Sequence, residues 1–137
     1  MSAADNSTPN VILGVQHDNF PEPFWDLEDY AGRAILTQYA MCLGQAKLLH
    51  GQDVKDLPEP ISVMLVITDG LKFHLSAFQL NTLETSGTAK KNIFWQEPEL
   101  LEIAQVADYV SARPVVDGYD PEVFKKLAAM YLSGATK

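Results

Sequence analysis

The side chains able to support catalysis are few here and stand apart. His17, His50 and His74 fall at intervals that match none of the spacings that hold zinc, so each is expected to be exposed or satisfied in place. The single cysteine, Cys42, has no cation beside it to lower its pKa and lies within an apolar helical pattern, which points to a buried, inert thiol. No glycine loop could cradle a phosphate: Gly32, Gly44, Gly51, Gly70 and Gly118 are isolated, as turns, caps and close packing require. No catalytic residue, metal ligand or cofactor is expected. Two basic doublets remain, Lys90-Lys91 and Lys125-Lys126, which are solvated faces or local contacts to phosphate.

One constellation supports an alternative. Asp69 precedes a strand that carries Gln79 and Asn81. Metal-dependent nucleases of the restriction-enzyme type resemble this order, with an acid near one strand and an acid or glutamine, then one residue, then lysine on the next. Asn81 stands where that lysine would be, and a neutral amide cannot assist a hydroxide nucleophile as an ammonium does. A second carboxylate is also missing, and Asp69 before Gly70 is what a tight turn prefers. The alternative is thus a degenerate or active nuclease, and a motif becomes a mechanism only with its full geometry.

Composition narrows the setting. A chain of 137 residues suits one domain, 47% apolar and 20% charged residues describe a folded protein, and no uncharged run is long enough to span a membrane. Ten basic against eighteen acidic residues leave a net charge of -8, so attraction to a phosphate backbone must be local. One cysteine fits a reducing compartment. Residues Met1 to Asn10 carry Asp5 and no basic residue, unlike a transit peptide, so a targeting segment is expected outside this chain or already removed.

The elements are read as an extended arm over 1–26 and one α+β domain over 27–137. Pro9, Pro21 and Pro23 break the arm, and Phe20, Phe24 and Trp25 are expected to pin it. Asp26 as N-cap and Gly51 as stop bound a helix over 27–50. Its core stripe is predicted as Ile35, Tyr39, Cys42, Leu43, Ala46 and Leu49. Ala34, Met41, Gly44 and Leu48 make the other side poor in charge too, a surface for a partner. After a connector at Leu57-Pro58-Glu59-Pro60, Ile61 to Ile67 reads as a strand covered on both faces. Asp69-Gly70 supplies the two positive-φ positions of a tight turn, and Leu71 to Leu80 returns with Phe73, Leu75 and Ala77 on one face and Lys72, His74, Ser76 and Phe78 on the other. Asn92 to Trp95 is a third short strand. Two C-terminal helices packed on the sheet are predicted, from Pro98 to about Val110 and from Pro121 to Gly134. Phe124, Leu127, Ala128 and Tyr131 would line the second.

From Gly32 onward the chain resembles the C-terminal part of a family of mitochondrial ribosomal proteins, comprising large-subunit protein thirty-seven and its paralogue, small-subunit protein thirty or programmed cell death protein nine. The resemblance runs through Gly32 to Gly51, Thr68-Asp69-Gly70 with Phe73, Phe78-Gln79-Leu80-Asn81-Thr82, Lys91 to Trp95, and Pro121 to Leu127 on to Gly134. It implies a non-catalytic structural constituent of the large mitochondrial ribosomal subunit. Its partners would be other ribosomal proteins, a paralogous subunit among them, with rRNA touched locally. On that reading Lys90, Lys91, Lys125 and Lys126 are the candidates for rRNA contact. Met41, Gly44, Leu48, Phe20, Phe24 and Trp25 are the candidates for a protein interface.

Overall fold

The computed structural model describes residues 11–15, 25–86 and 89–135. The elements run β1 (Val11–Val15), α1 (Leu27–His50), β2 (Asp56–Thr68), β3 (Lys72–Thr82), β4 (Ile93–Gln96), β5 (Leu101–Glu102), β6 (Val106–Val110), β7 (Arg113–Asp117) and α2 (Pro121–Ala135). The class is α+β.

α1 has the bounds its capping residues dictate. Asp26 accepts from the Asp29 amide while Asp29 accepts from the Asp26 amide, at 3.0 and 3.1 Å, a reciprocal box that satisfies two orphan donors. Glu28 and Asp29 sit at the positive end of the helix dipole, and Gly51, at φ 94°, closes the other end by donating to the Lys47 carbonyl. The buried line is rotated from the predicted stripe. Tyr30, Ala34, Gln38, Cys42 and Ala46 face inward, whereas Ile35 and Leu49 are partly open. Ala34, expected outside, is fully buried. The reason is the size of the facing strands' side chains: a line of small residues lets the helix lie close to Val63, Leu65, Phe78 and Leu80, and Gln38 is admitted because it finds partners there.

β2 and β3 form the centre of a mixed sheet in the order β1-β2-β3-β4, with β5 pairing β3. β1 runs parallel to β2, Val11 opposite Met64. β2 and β3 are antiparallel, Val63 opposite Phe78 and Leu65 opposite Ser76. Thr68 pairs with Phe73, so Asp69 to Lys72 form the connection, longer than the expected two-residue turn. Only Gly70 has positive φ in it; Asp69 instead accepts from the Leu71 and Lys72 amides at 2.9 and 2.7 Å. β2 also extends back through the expected connector, where Asp56 pairs with Thr82 but Ile61 already pairs with Leu80. Residues 57–60 bulge out between those pairs. Prolines 58 and 60 sit where no ladder donor is needed, the position in which a strand tolerates them.

α1 covers one face of β2 and β3, burying Ile61, Val63, Leu65 and Ile67 with His74, Ser76, Phe78 and Leu80. On the opposite face Val66, Thr68 and Leu75 are buried, but toward the other end Ser62, Ile93 and Trp95 are exposed, so β2 is covered on both faces only near its hairpin.

The helix expected over 98–110 does not form. Its residues make β5 and β6, and Pro114-Val115-Val116 completes β7 opposite β6. Ile103, Val106 and Val110 are β-branched, and Gln105 and Asp120 are tied back to Asp117 and Ile103 by backbone hydrogen bonds, pairings that override a weak helical period. The turn between β6 and β7 is Ser111-Ala112, both at positive φ, 52° and 59°, without the glycine or asparagine that marks such a turn in sequence. α2 starts as read, with Asp120 accepting from the Glu122 amide, but runs through Gly134 to Ala135. Its inward residues are Val123, with Leu127 and Met130 partly covered, while Phe124 and Tyr131, predicted for the packed face, are exposed.

Candidate interaction surfaces

Between α1 and the sheet the polar groups are arranged to complete the core. Gln38 Nε2 donates to the carbonyls of Val63 and Ser76 at 3.0 and 3.3 Å, and Ser76 Oγ donates to Gln38 Oε1 at 3.2 Å. Burial pushes the Cys42 thiol up to about 11, so its nucleophilic form is suppressed, and Sγ lies 3.8 Å from the Ile61 carbonyl. His74 is fully buried beneath Tyr30, their rings stacked at 5.7 Å. Its Nε2 lies 2.9 Å from Gln96 Oε1, which fixes the proton on that nitrogen and leaves Nδ1 without a partner among the described residues. Desolvation lowers the pKa of His74, against the smaller opposing pull of Gln96. The imidazole is therefore held neutral. His50 closes the last turn of α1, and His17 lies outside the described residues.

The nuclease constellation is not assembled. The Asp69 carboxylate accepts loop amides at one end of β3, while Gln79 Nε2 donates to Asn81 Oδ1 near the other end. At ~3.3 Å per strand residue, Phe73 and Gln79 alone are roughly 20 Å apart. Among the described residues no three His, Cys, Asp or Glu side chains are grouped as a metal ion needs.

The candidate partner residues divide. Met41 and Leu48 are exposed, Leu48 at 81%, and with Gly44 they continue an outward line through Leu36 and Ala40. Nothing would crowd a side chain at Gly44, so its smallness serves no contact within the chain. Trp25 is already engaged: it is edge-on to Tyr30 at 5.5 Å, carries the Arg33 guanidinium at 5.0 Å over its ring, and packs on the Tyr30 cluster. Phe20 and Phe24 lie outside the described residues. Missed from sequence were Val106, Tyr109, Val110 and Val116, which leave the β6–β7 hairpin open on both of its faces. The alternation of valines on either side of Ser111 was the available signal.

The lysine doublets also differ. Lys125 is paired with Glu122 at 2.6 Å and Lys126 with Glu97 at 3.1 Å, so α2 offers little free positive charge. Lys90 and Lys91 have no ion pair among the described residues and border a surface pocket of about 330 Å³ with Leu57, Pro58, Pro60 and Asn81. The Lys90 ammonium reaches across to the Leu57 carbonyl at 3.4 Å.

These surfaces define a docking body: a closed core, apolar faces turned outward, and one confined cationic pocket. The family model for mitochondrial 28S ribosomal protein S30 (PDCD9) matches residues 26–134, and the chain belongs to that family. It is 36% identical over 136 residues to "Large ribosomal subunit protein mL37" of Gallus gallus, 34% over 139 residues to the protein of that name in Rattus norvegicus, and 31% over 135 residues to that of Bos taurus. Each alignment covers 93% of this chain but 32% of the relative, so the chain spans about a third of the length of the curated relatives it matches.

Proposed function

We propose that the chain is a structural constituent of the large subunit of the mitochondrial ribosome, works in the mitochondrion, and holds its place mainly through protein contacts. The observation that carries the reading is similarity to large-subunit proteins along 93% of the chain, combined with apolar surface that the fold itself leaves uncovered. The family model carries a small-subunit name, but the relatives aligned along the chain are large-subunit proteins, and the large subunit is the better supported assignment. One family holding both names also supports a paralogous subunit among the neighbours.

Charge supports protein over RNA as the main partner. At a net -8, with Lys125 and Lys126 already neutralised, rRNA is met only where cations are free, at Lys90 and Lys91. The exposed line of Met41, Gly44 and Leu48 and the open β6–β7 hairpin are the protein-facing surfaces. No catalytic role is assigned: the potential nucleophile is buried and protonated, and the only neutral base is sealed under Tyr30. Sedimentation of the tagged chain from mitochondrial lysate tests the reading. Co-migration with large ribosomal particles, lost when those particles are dissociated, is expected; a chain that stays at the top of the gradient overturns it.

A further inference from the structure

We propose that the pocket beside Lys90 and Lys91 seats one splayed-out nucleotide of single-stranded RNA, bound by its flat face and its phosphate and without regard to which base it carries. This rests on the ribosomal reading above and gives its local RNA contact a site and a mode.

The pocket follows from two irregularities of the sheet. On one side, residues 57–60 bulge from β2, so that Pro58 and Pro60 present rigid apolar rings outward while Leu57 is buried. On the other, the chain returning toward β4 brings Lys90 and Lys91 against the end of β3. Asn92 fixes that return: its Oδ1 accepts from the amides of Asn81 and Thr82 at 2.8 and 3.1 Å, and its Nδ2 donates to the Thr82 carbonyl at 3.0 Å. Asn81 adds a bond from Nδ2 to the Lys91 carbonyl at 2.8 Å. The walls are thus held by the fold.

Their chemistry selects the ligand. A volume of about 330 Å³ is at the lower end for small-ligand sites and admits one planar group rather than a helix or a duplex. The lining contains two ammonium groups and no carboxylate; Glu59, between the prolines, is not part of it. An extended acidic peptide would bind by adding a strand, but the β3 amides it would need at Asn81 and Thr82 are already taken by Asn92. Charge plus apolar stacking remains, which is how unpaired nucleotides are held. Base identity goes unread because the amide of Asn81, the one neutral polar side chain in the lining, is committed to Gln79 and Lys91.

Fluorescence anisotropy of the full chain with labelled hexamers of uridylate and of adenylate, and with a duplex of equal length, tests this. The two single strands should bind within a few-fold of each other and the duplex more weakly. Lys90→Glu with Lys91→Glu should weaken binding at least tenfold and reduce the log–log salt slope by about 1.4, at about 0.7 per lost phosphate contact. Pro58→Ser with Pro60→Ser should weaken it about fivefold, through lost stacking, while Lys125→Glu with Lys126→Glu leaves it unchanged. Absence of single-strand binding up to roughly 100 µM, the weak end of non-specific affinity, overturns the proposal. So does equal binding of the duplex, indifference to the Lys90 and Lys91 changes, or an acidic peptide that competes more strongly than RNA. A chain that co-migrates with large subunits yet ignores RNA removes this proposal alone.

Discussion

The β2–β3 and β6–β7 hairpins are both antiparallel pairs with short connections, yet one is the centre of the core and the other lies open on both faces. β2 and β3 have α1 across one side, and the helix contributes Gln38, Cys42 and Ala46 to the space between them. β6 and β7 have no such cover among the described residues: Val106, Tyr109, Val110 and Val116 are about half exposed or more. A two-stranded ribbon alone is marginal in water, and two non-glycine residues at positive φ in its turn add strain. Burial by a helix makes a hairpin independent. A hairpin without it depends on what docks against it.

Core truncation should separate the two most sharply. Leu80→Ala, at a fully buried position, should cost about 2–5 kcal/mol in denaturant unfolding. Tyr109→Ala, at 74% exposure, should stay within about 0.5 kcal/mol. Equal losses would mean that β6–β7 is as much a part of the free chain's stability as the centre.

The next effect concerns the polar ladder. Gln38→Ala strands Ser76 Oγ and removes donors to two carbonyls, and should lower stability by about 1–3 kcal/mol in the same measurement. Asp26→Ala, which opens the capping box of α1, should lose about 1 kcal/mol, visible as a shift in the thermal midpoint by circular dichroism.

The smallest effect is a pH dependence. The folded pKa of His74 lies below its ordinary 6.5, so the unfolded chain binds the proton more readily. Its stabilising contribution is fully present above 6.5 and declines as pH falls from 6.5 toward the lowered folded value. Denaturant midpoints followed downward from pH 7.5 should fall for the native chain and flatten in His74→Gln. An unchanged slope in that variant would contradict burial of the neutral ring.

How much could be read in advance follows the same division. Helix α1 was legible to the residue because its limits are local chemistry, an aspartate cap and a glycine stop. The β2–β3 pair was legible from its apolar run and Asp69-Gly70, although the turn that formed is longer. β1 was not, since Val11-Ile12-Leu13-Gly14-Val15 becomes a strand only by pairing with Met64 to Thr68, about fifty residues away. The expected second helix failed for a related reason: β6 has identity only opposite β7. Rotation of the α1 stripe depended on which residues could approach β2 and β3, which spacing alone does not state. Among the candidate contacts, nothing local distinguished the two lysine doublets. Glu97 is distant in sequence from Lys126, and the prolines beside Lys90 arrive from across the sheet.

Hydrogen exchange by mass spectrometry, on the free chain and on the chain within large ribosomal subunits, tests the central claim most directly. In the free chain, amides of β2 and β3 should exchange slowly and those of β6 and β7 quickly. In the particle, β6 and β7 should become protected while β2 and β3 stay as they were. Slow exchange of β6 and β7 in the free chain, or no gain there on assembly, would contradict a hairpin left open for a neighbouring subunit to cover.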